Sequence, residues 1–382
     1  MNPATRHIGI NIGGGYVPGL NYVVRGVVLA ASELGWDVIG IKDGFDGLLF
    51  PERYPSGGLL HLTNDLVESL SSGAGAILGT NPRTDPFRVQ AVNAENEIEE
   101  LDKSDQLLEE VKAQGIDAVI SIVSSQALNT LFRLHRKGLK VVCIPKSVEN
   151  DVAATQLSFG FNSALSFTVD MLENARLAAH STRKIVVVEV PGQHTGWLAL
   201  QSAMTACADA VLVPEIPYDL RAVAAKLKKR AESGHPYGLV VVAEGANSAA
   251  VPDAGPDNPL KKSLAPMATN QQGRFIIDRT GLAAHSVSLE LQRLTGQETY
   301  ALVLGQLVKG GSTTALDRHL GLGYGAAAVR ALKEDRPGVM VAFQPPETKF
   351  VPLAEAINKV RTLPLNGLFT EIARSLGVSL GN

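Results

Sequence analysis

Four loops carry the residues that could do chemistry in this chain. The first runs Ile12-Gly13-Gly14-Gly15-Tyr16-Val17-Pro18-Gly19-Leu20-Asn21. Its glycines let backbone N–H groups approach an anion closely, and a helix starting after it would add positive potential. Such a turn also occurs for tight packing alone. The second, Ile144-Pro145-Lys146-Ser147-Val148-Glu149-Asn150-Asp151, sets carboxylates at i and i+2 with a lysine three residues before the first. That spacing can pair a proton acceptor with a phosphate-binding cation, although an isolated copy also describes a solvated turn with a helix cap. The third is Glu189 to Trp197, where Gly192, Gln193 and His194 follow an apolar run; a lone histidine is more often structural. The fourth is Val308-Lys309-Gly310-Gly311-Ser312, with Asp317-Arg318 nearby. Each is weak alone; their order and context make them informative together.

Short apolar runs alternate with helix-period stretches from end to end, which predicts parallel strands with crossover helices. Expected strands are His7–Ile12, Asp37–Ile41, Asp117–Ile122, Lys140–Ile144, Lys184–Val190, Ala210–Val213, Gly238–Ala243, Tyr300–Leu304 and Val339–Phe343. Several are continuous in Val and Ile, as expected of strands covered on both faces. Between the first two, Val24, Val27, Val28, Ala31 and Leu34 mark one apolar face of a helix over Asn21–Leu34. The stretch Gly245 to Gln272 breaks the rhythm and reads as an irregular surface excursion. In doubly wound sheets ligands sit beyond the carboxyl ends of strands, which is where the four loops fall.

With 382 residues, two packed lobes are the default. Apolar residues at 45% and charged residues at 19% exclude a largely disordered chain. A formal charge of -3, with no long basic run, gives no pull toward nucleic acid. Cys143 lies in an apolar run and reads as a small buried hydrophobe; with only Cys207 besides, neither a disulfide framework nor a cysteine zinc site is expected. Neither a signal peptide nor a membrane-length apolar run is visible, so a cytoplasmic protein without membrane partners is expected.

The ordered set of loops resembles the phosphofructokinase family. Gly14 to Asn21 follows the family's G-G-D-x-P-G-x-N, and Pro145 to Asp151 its P-K-T-I-D-N-D, with Phe159 to Ala164 similar to the F-G-F-x-x-A after it. Val187 to Trp197 matches V-V-E-V-M-G-R-x-x-G-W, while Val308 to Thr313 and Asp317-Arg318 match Q-R-G-G-S-P and D-R. The resemblance implies an α/β protein with two Rossmann-like lobes of mainly parallel sheet. Residues 1–150 with about 308–345 would form the donor side, and 151–307 with about 346–382 the sugar-phosphate side. It further implies a sugar phosphate, a phosphoryl donor, Mg²⁺ if the chain is active, and a homo-oligomer (dimer or tetramer), since family sugar sites borrow basic residues across a subunit interface.

By the same resemblance, Glu149 is the proton acceptor with Asp151 beside it, and Gly14, Gly15, Ser124, Ser125 and Lys146 face donor phosphates. Ser147, Lys184, Gly192, Gln193, Glu244, Tyr300 and Lys309 occupy sugar-phosphate positions. A lysine at 146 resembles the diphosphate-using branch, and Lys42 stands where an adenine-stacking residue often occurs. The departures carry most weight. Where the family has G-G-D-G, this chain has Val123-Ser124-Ser125-Gln126-Ala127, so Ser125 replaces the metal-binding aspartate and no metal ligand set is expected. Gln193 and Tyr300 stand for arginines, and Lys184 and Lys309 keep charge without the bidentate fork. The expectation is a divergent family member with weak or no standard kinase activity, such as a regulatory subunit completed by a catalytic paralogue. The alternative is a phosphotransferase using diphosphate, or less readily ATP, on fructose 6-phosphate or a related sugar phosphate.

Overall fold

The computed structural model describes residues 6–70, 75–81, 85–92, 98–248 and 281–382. Most of the excursion expected at 245–272 lies outside the described residues. The chain divides into two compact units, Met1–Ala164 with Lys309–Arg361, and Leu165–Val308 with Thr362–Asn382.

Among the described residues thirteen strands are formed: β1 (His7–Ile12), β2 (Asp37–Ile41), β3 (Leu59–Leu62), β4 (Val89–Val92), β5 (Ile98–Leu101), β6 (Ala118–Val123), β7 (Val141–Pro145), β8 (Ile185–Val190), β9 (Ala210–Leu212), β10 (Gly238–Ala243), β11 (Thr299–Val303), β12 (Val339–Gln344) and β13 (Glu347–Pro352). The first unit holds a seven-stranded sheet in the order β13-β12-β7-β6-β1-β2-β3. Its middle strands run parallel and its edges, β13 and β3, antiparallel. Every residue of β6 and β7 is buried, as expected of Val- and Ile-rich strands covered on both faces. The second unit is a four-stranded parallel sheet, β11-β8-β10-β9. This is the expected α/β architecture of mainly parallel sheet covered by helices.

Unit boundaries expected at 150 and 345 fall elsewhere, because backbone pairing holds the flanking segments to the first sheet. β13 pairs with β12 along its length, Gln156 N donates to Phe343 O at 2.9 Å, and Arg361 N donates to Asp151 O at 2.8 Å.

The glycine loop after β1 feeds the helix Leu20–Ser32, which buries Val23, Val24, Val27, Val28 and Ala31. It packs on the helix Ala315–Lys333 at a distance only glycine permits. A Cβ on Gly26 would stand 2.5 Å from Leu322 O, and one on Gly325 would stand 2.6 Å from Val23 O. Cys143 is fully buried in the first core, and burial pushes its thiol pKa up. Among the described residues, no helix is long and apolar enough to cross a membrane.

Candidate active site

In the first unit, three loops meet at the carboxyl ends of β1, β6 and β7. The turn after β1 is tied by Gly13 N donating to Ile122 O at 3.0 Å, and Gly14 takes φ +79°, a left-handed conformation that favours glycine. The chain leaving β7 is held on both sides. Lys146 N donates to Val123 O at 2.9 Å and Ser147 N to Phe159 O at 3.0 Å. Asn150, itself left-handed, accepts from Ser158 N at 2.8 Å and donates to Gln156 O at 3.2 Å. The segment carrying Glu149 and Asp151 is therefore fixed by backbone and amide bonds.

Lys146 is only 1% exposed. Its ammonium turns into the glycine loop, donates to Gly15 O, and would sit 3.4 Å from a Cβ on Gly14. Lys309 reaches the same loop, its Nζ 3.6 Å from a Cβ built on Gly15. Burial, and then repulsion from Lys309, brings the Lys146 pKa down to about 7. Ser124 starts the helix Ser125–Arg136 without capping it by its side chain, and its Oγ would lie 3.0 Å from a Cβ on Gly14. Gly13, Gly14, Gly15, Ser124, Ala127 and Thr130 are among the walls of a 200 Å³ cleft.

Asp151 carries the decisive contacts. Its Oδ2 accepts from Ser125 Oγ at 2.6 Å and its Oδ1 from Ser147 Oγ at 2.5 Å. Ser147 Oγ in turn accepts from Glu149 N at 3.0 Å. Both carboxylate oxygens are thus satisfied by neutral hydroxyls, one of them at the position where the family resemblance expects a second carboxylate. Magnesium prefers an octahedral oxygen shell with carboxylate charge in it, and Ser125 brings none. Among the described residues, no group of three or more His, Cys, Asp or Glu side chains could hold a metal ion. The donor set present does not fit the resident cation that the family's chemistry implies.

The second unit gathers only some of its expected residues. Gly192, Gln193 and Glu244 lie together beyond the carboxyl ends of β8 and β10: Gly245 N donates to Gly192 O at 3.0 Å, and Glu244 N to Val190 O at 3.1 Å. Lys184 and Tyr300 stand at the amino ends of β8 and β11, roughly 20 Å away at about 3.3 Å per residue. Lys184 is committed there to an ion pair with Glu298 at 2.8 Å. Burial raises the Tyr300 pKa, and Lys184 pulls it partly back. Lys184 and Tyr300 therefore do not meet Gln193 and Glu244 within one chain, because a residue before a parallel strand and one after it lie at opposite sheet ends.

Two supporting residues were not foreseen. Glu215 caps the turn before the helix Trp197–Thr205, accepting from Gly196 N at 3.1 and 3.0 Å and from Leu363 N at 2.8 Å. Arg361 buttresses the carboxylate loop, donating from Nη1 to Asn150 O at 3.3 Å, and burial lowers its pKa. The Pro-Glu pair after β9 was the available signal for the first; the second had none. Lys42, where an adenine-stacking side chain was considered, donates to Gly57 O at 3.0 Å over the Tyr54 ring.

A phosphofructokinase family model matches residues 7–332. An ATP-dependent 6-phosphofructokinase of Chloroflexus aurantiacus is 36% identical over 384 residues, covering 100% of this chain and 99% of that relative. Among solved structures, a pyrophosphate-dependent phosphofructokinase of Nitrosospira multiformis superposes with TM-score 0.75 at 18% identity, covering 99% of this chain and 92% of that one. A phosphofructokinase of Saccharomyces cerevisiae gives 0.74 at 24% identity, covering 97% of this chain and 47% of that one. The two structural likenesses speak to fold alone; the family match and the full-length relative speak to descent. With the glycine loop, the carboxylate loop and the paired sheets in place, the chain belongs to the phosphofructokinase family.

Proposed function

We propose that this protein is a divergent phosphofructokinase that retains phosphate and sugar-phosphate binding but has weak or no 6-phosphofructokinase turnover. The observation that carries this reading is the pairing of Asp151 with Ser125 and Ser147, which puts a neutral hydroxyl donor on each carboxylate oxygen and no second carboxylate beside it at position 125. Phosphoryl transfer rests on positioning and on neutralising charge on the reacting phosphate. Losing one electrostatic stabiliser of that kind typically costs about 10²–10³ in rate. Displacing a general base, here Glu149 with one methylene more than the family's aspartate, costs roughly 10²–10⁴. The two losses do not multiply, since residues acting as a unit are non-additive. Lys184 and Tyr300, remote from Gln193 and Glu244 within one chain, support an oligomer in which one copy, or a catalytic paralogue, completes the sugar site of another. A regulatory subunit is the role that fits such an arrangement.

The second reading is an active phosphotransferase, favoured by the full-length identity to an enzyme described as ATP-dependent 6-phosphofructokinase. In that reading Glu149 is the base and Lys146 meets the donor. A 200 Å³ cleft suits diphosphate better than a nucleoside triphosphate, given that pockets for drug-sized ligands span about 300–1,000 Å³. A coupled assay of the purified protein with diphosphate, ATP and fructose 6-phosphate separates the two. The first reading expects binding of fructose 6-phosphate with turnover near background. Turnover at ordinary kinase rates, abolished in Glu149→Gln, would establish the second.

A further inference from the structure

The residues at the first-unit cleft disagree with a resident divalent cation, and the same residues supply a replacement for its charge. We propose that Lys146 and Lys309 take the place of the magnesium ion, so that the glycine-loop corner binds a phosphate-class oxyanion with no divalent metal. The inference rests on the reading that phosphate binding is retained, and names the electrostatics by which it is retained.

Three independent features converge there. The first is Lys146, a 1%-exposed lysine whose ammonium is anchored on Gly15 O beside Gly14. A buried ammonium is costly unless something negative compensates it, and one carbonyl dipole is modest compensation. The second is Lys309, directed at the next glycine from a different segment and close enough for repulsion to be the second cause of the lowered Lys146 pKa. Two like charges drawn to one glycine turn are held apart in the free protein only at electrostatic cost. A dianion lodged between them would turn that repulsion into two attractions and restore full protonation of Lys146. The third is the frame of neutral donors: the Gly14–Gly15 backbone, the Ser124 hydroxyl that is not spent on capping, and the N-terminus of the twelve-residue helix Ser125–Arg136.

A divalent cation fits this corner poorly for the same reasons. It would have to approach two lysine side chains and compete with hydroxyls for the Asp151 carboxylate. The serine at 125 is the change and the buried lysine at 146 is a cation the family motif also carries: the first removes the site's negative anchor for metal, and the second, with Lys309, is left to supply positive charge from the polypeptide. The charge is carried by the polypeptide, is completed when the bound anion restores protonation of Lys146, and reaches the ligand without a soluble partner.

Isothermal titration of the full chain with inorganic phosphate tests this in EDTA and again in excess Mg²⁺, with fructose 6-phosphate titrated in parallel. The expected result is a phosphate affinity equal within about two-fold in the two buffers, and at least ten-fold weaker in Lys309→Gln in both. Lys309 is only partly buried, so this variant keeps the fold; Lys146→Met, confirmed folded by circular dichroism, is expected to lose phosphate binding as well. Affinity ten-fold higher with Mg²⁺ than with EDTA would overturn the inference, as would Lys309→Gln binding phosphate like the wild type. If phosphate fails to bind while fructose 6-phosphate binds, the lysine-pair inference falls and the proposed function stands. If neither binds, both fall.

Discussion

Restoring the family's carboxylate at position 125 should create a metal requirement. Ser125 Oγ donates to Asp151 Oδ2 at 2.6 Å, so Ser125→Asp exchanges a hydrogen bond to a charged group for a carboxylate facing a carboxylate. Losing the bond costs about 1.5–3 kcal/mol. Two like charges about 4 Å apart, at an effective dielectric constant near 20, repel by up to about 4 kcal/mol. The pair escapes part of that by sharing a proton, which raises its apparent pKa above that of an unfolded aspartate. The native state then binds more protons than the unfolded one, and stability falls as pH climbs from about 4 through the raised pKa. Urea unfolding of the metal-free variant should therefore show a loss on the order of 3–5 kcal/mol at about pH 8 and a smaller one near pH 5. Millimolar Mg²⁺ should return most of it, because the variant now offers two carboxylates, while leaving the wild type unmoved. A metal-free variant as stable as the wild type at the higher pH would refute the adjacency of these side chains and the argument built on it.

Other parts of the structure make separate demands. Burial, and then repulsion from Lys309, lowers the Lys146 pKa from the ordinary lysine range to about 7, so above that pH the native lysine is largely neutral where the unfolded one is charged. Stability should accordingly rise between about pH 7 and 10 by up to ~1.4 kcal/mol per unit, and Lys146→Met should remove that slope in paired unfolding curves. Gly26→Ala drives a Cβ to within 2.5 Å of Leu322 O and should lower stability by about 1–3 kcal/mol in urea unfolding, whereas alanine at exposed Gly323, which meets nothing within 4 Å, should not destabilise. Glu189, 1% exposed, accepts from Gly281 N and from Ala284 N at 2.9 Å at the start of the helix Leu282–Thr295. Glu189→Gln turns an amide N–H₂ toward one of those donors and should cost about 1.5–3 kcal/mol, read as a shift in the urea midpoint.

The parallel architecture was legible because its strands are short apolar runs rich in Val and Ile: β1, β2 and β10 begin and end at the expected residues. β13 was not legible, since Glu347–Pro352 alternates exposed and half-buried residues on a sheet edge and owes its conformation to pairing with β12. In the site, the exchange of aspartate for serine at 125 could be read directly. Its consequence could not, because the two hydroxyls that close on Asp151 come from positions 26 and 4 residues away in sequence. Lys146 was read as a cation for a phosphate, but its burial depends on how β1, β6 and β7 bring their loops together. The separation of Lys184 from Gln193 follows from strand direction, which a motif match to the strand between them does not reveal.

The central claim is that a fixed ammonium pair has displaced a divalent cation. Titrating Mn²⁺ into the wild-type protein, with inorganic phosphate present and free Mn²⁺ followed by electron paramagnetic resonance, tests it most directly. The account predicts a free-ion signal that rises with total Mn²⁺ as it does in phosphate buffer alone. One tightly bound Mn²⁺ per chain, lost in Asp151→Asn, would contradict it.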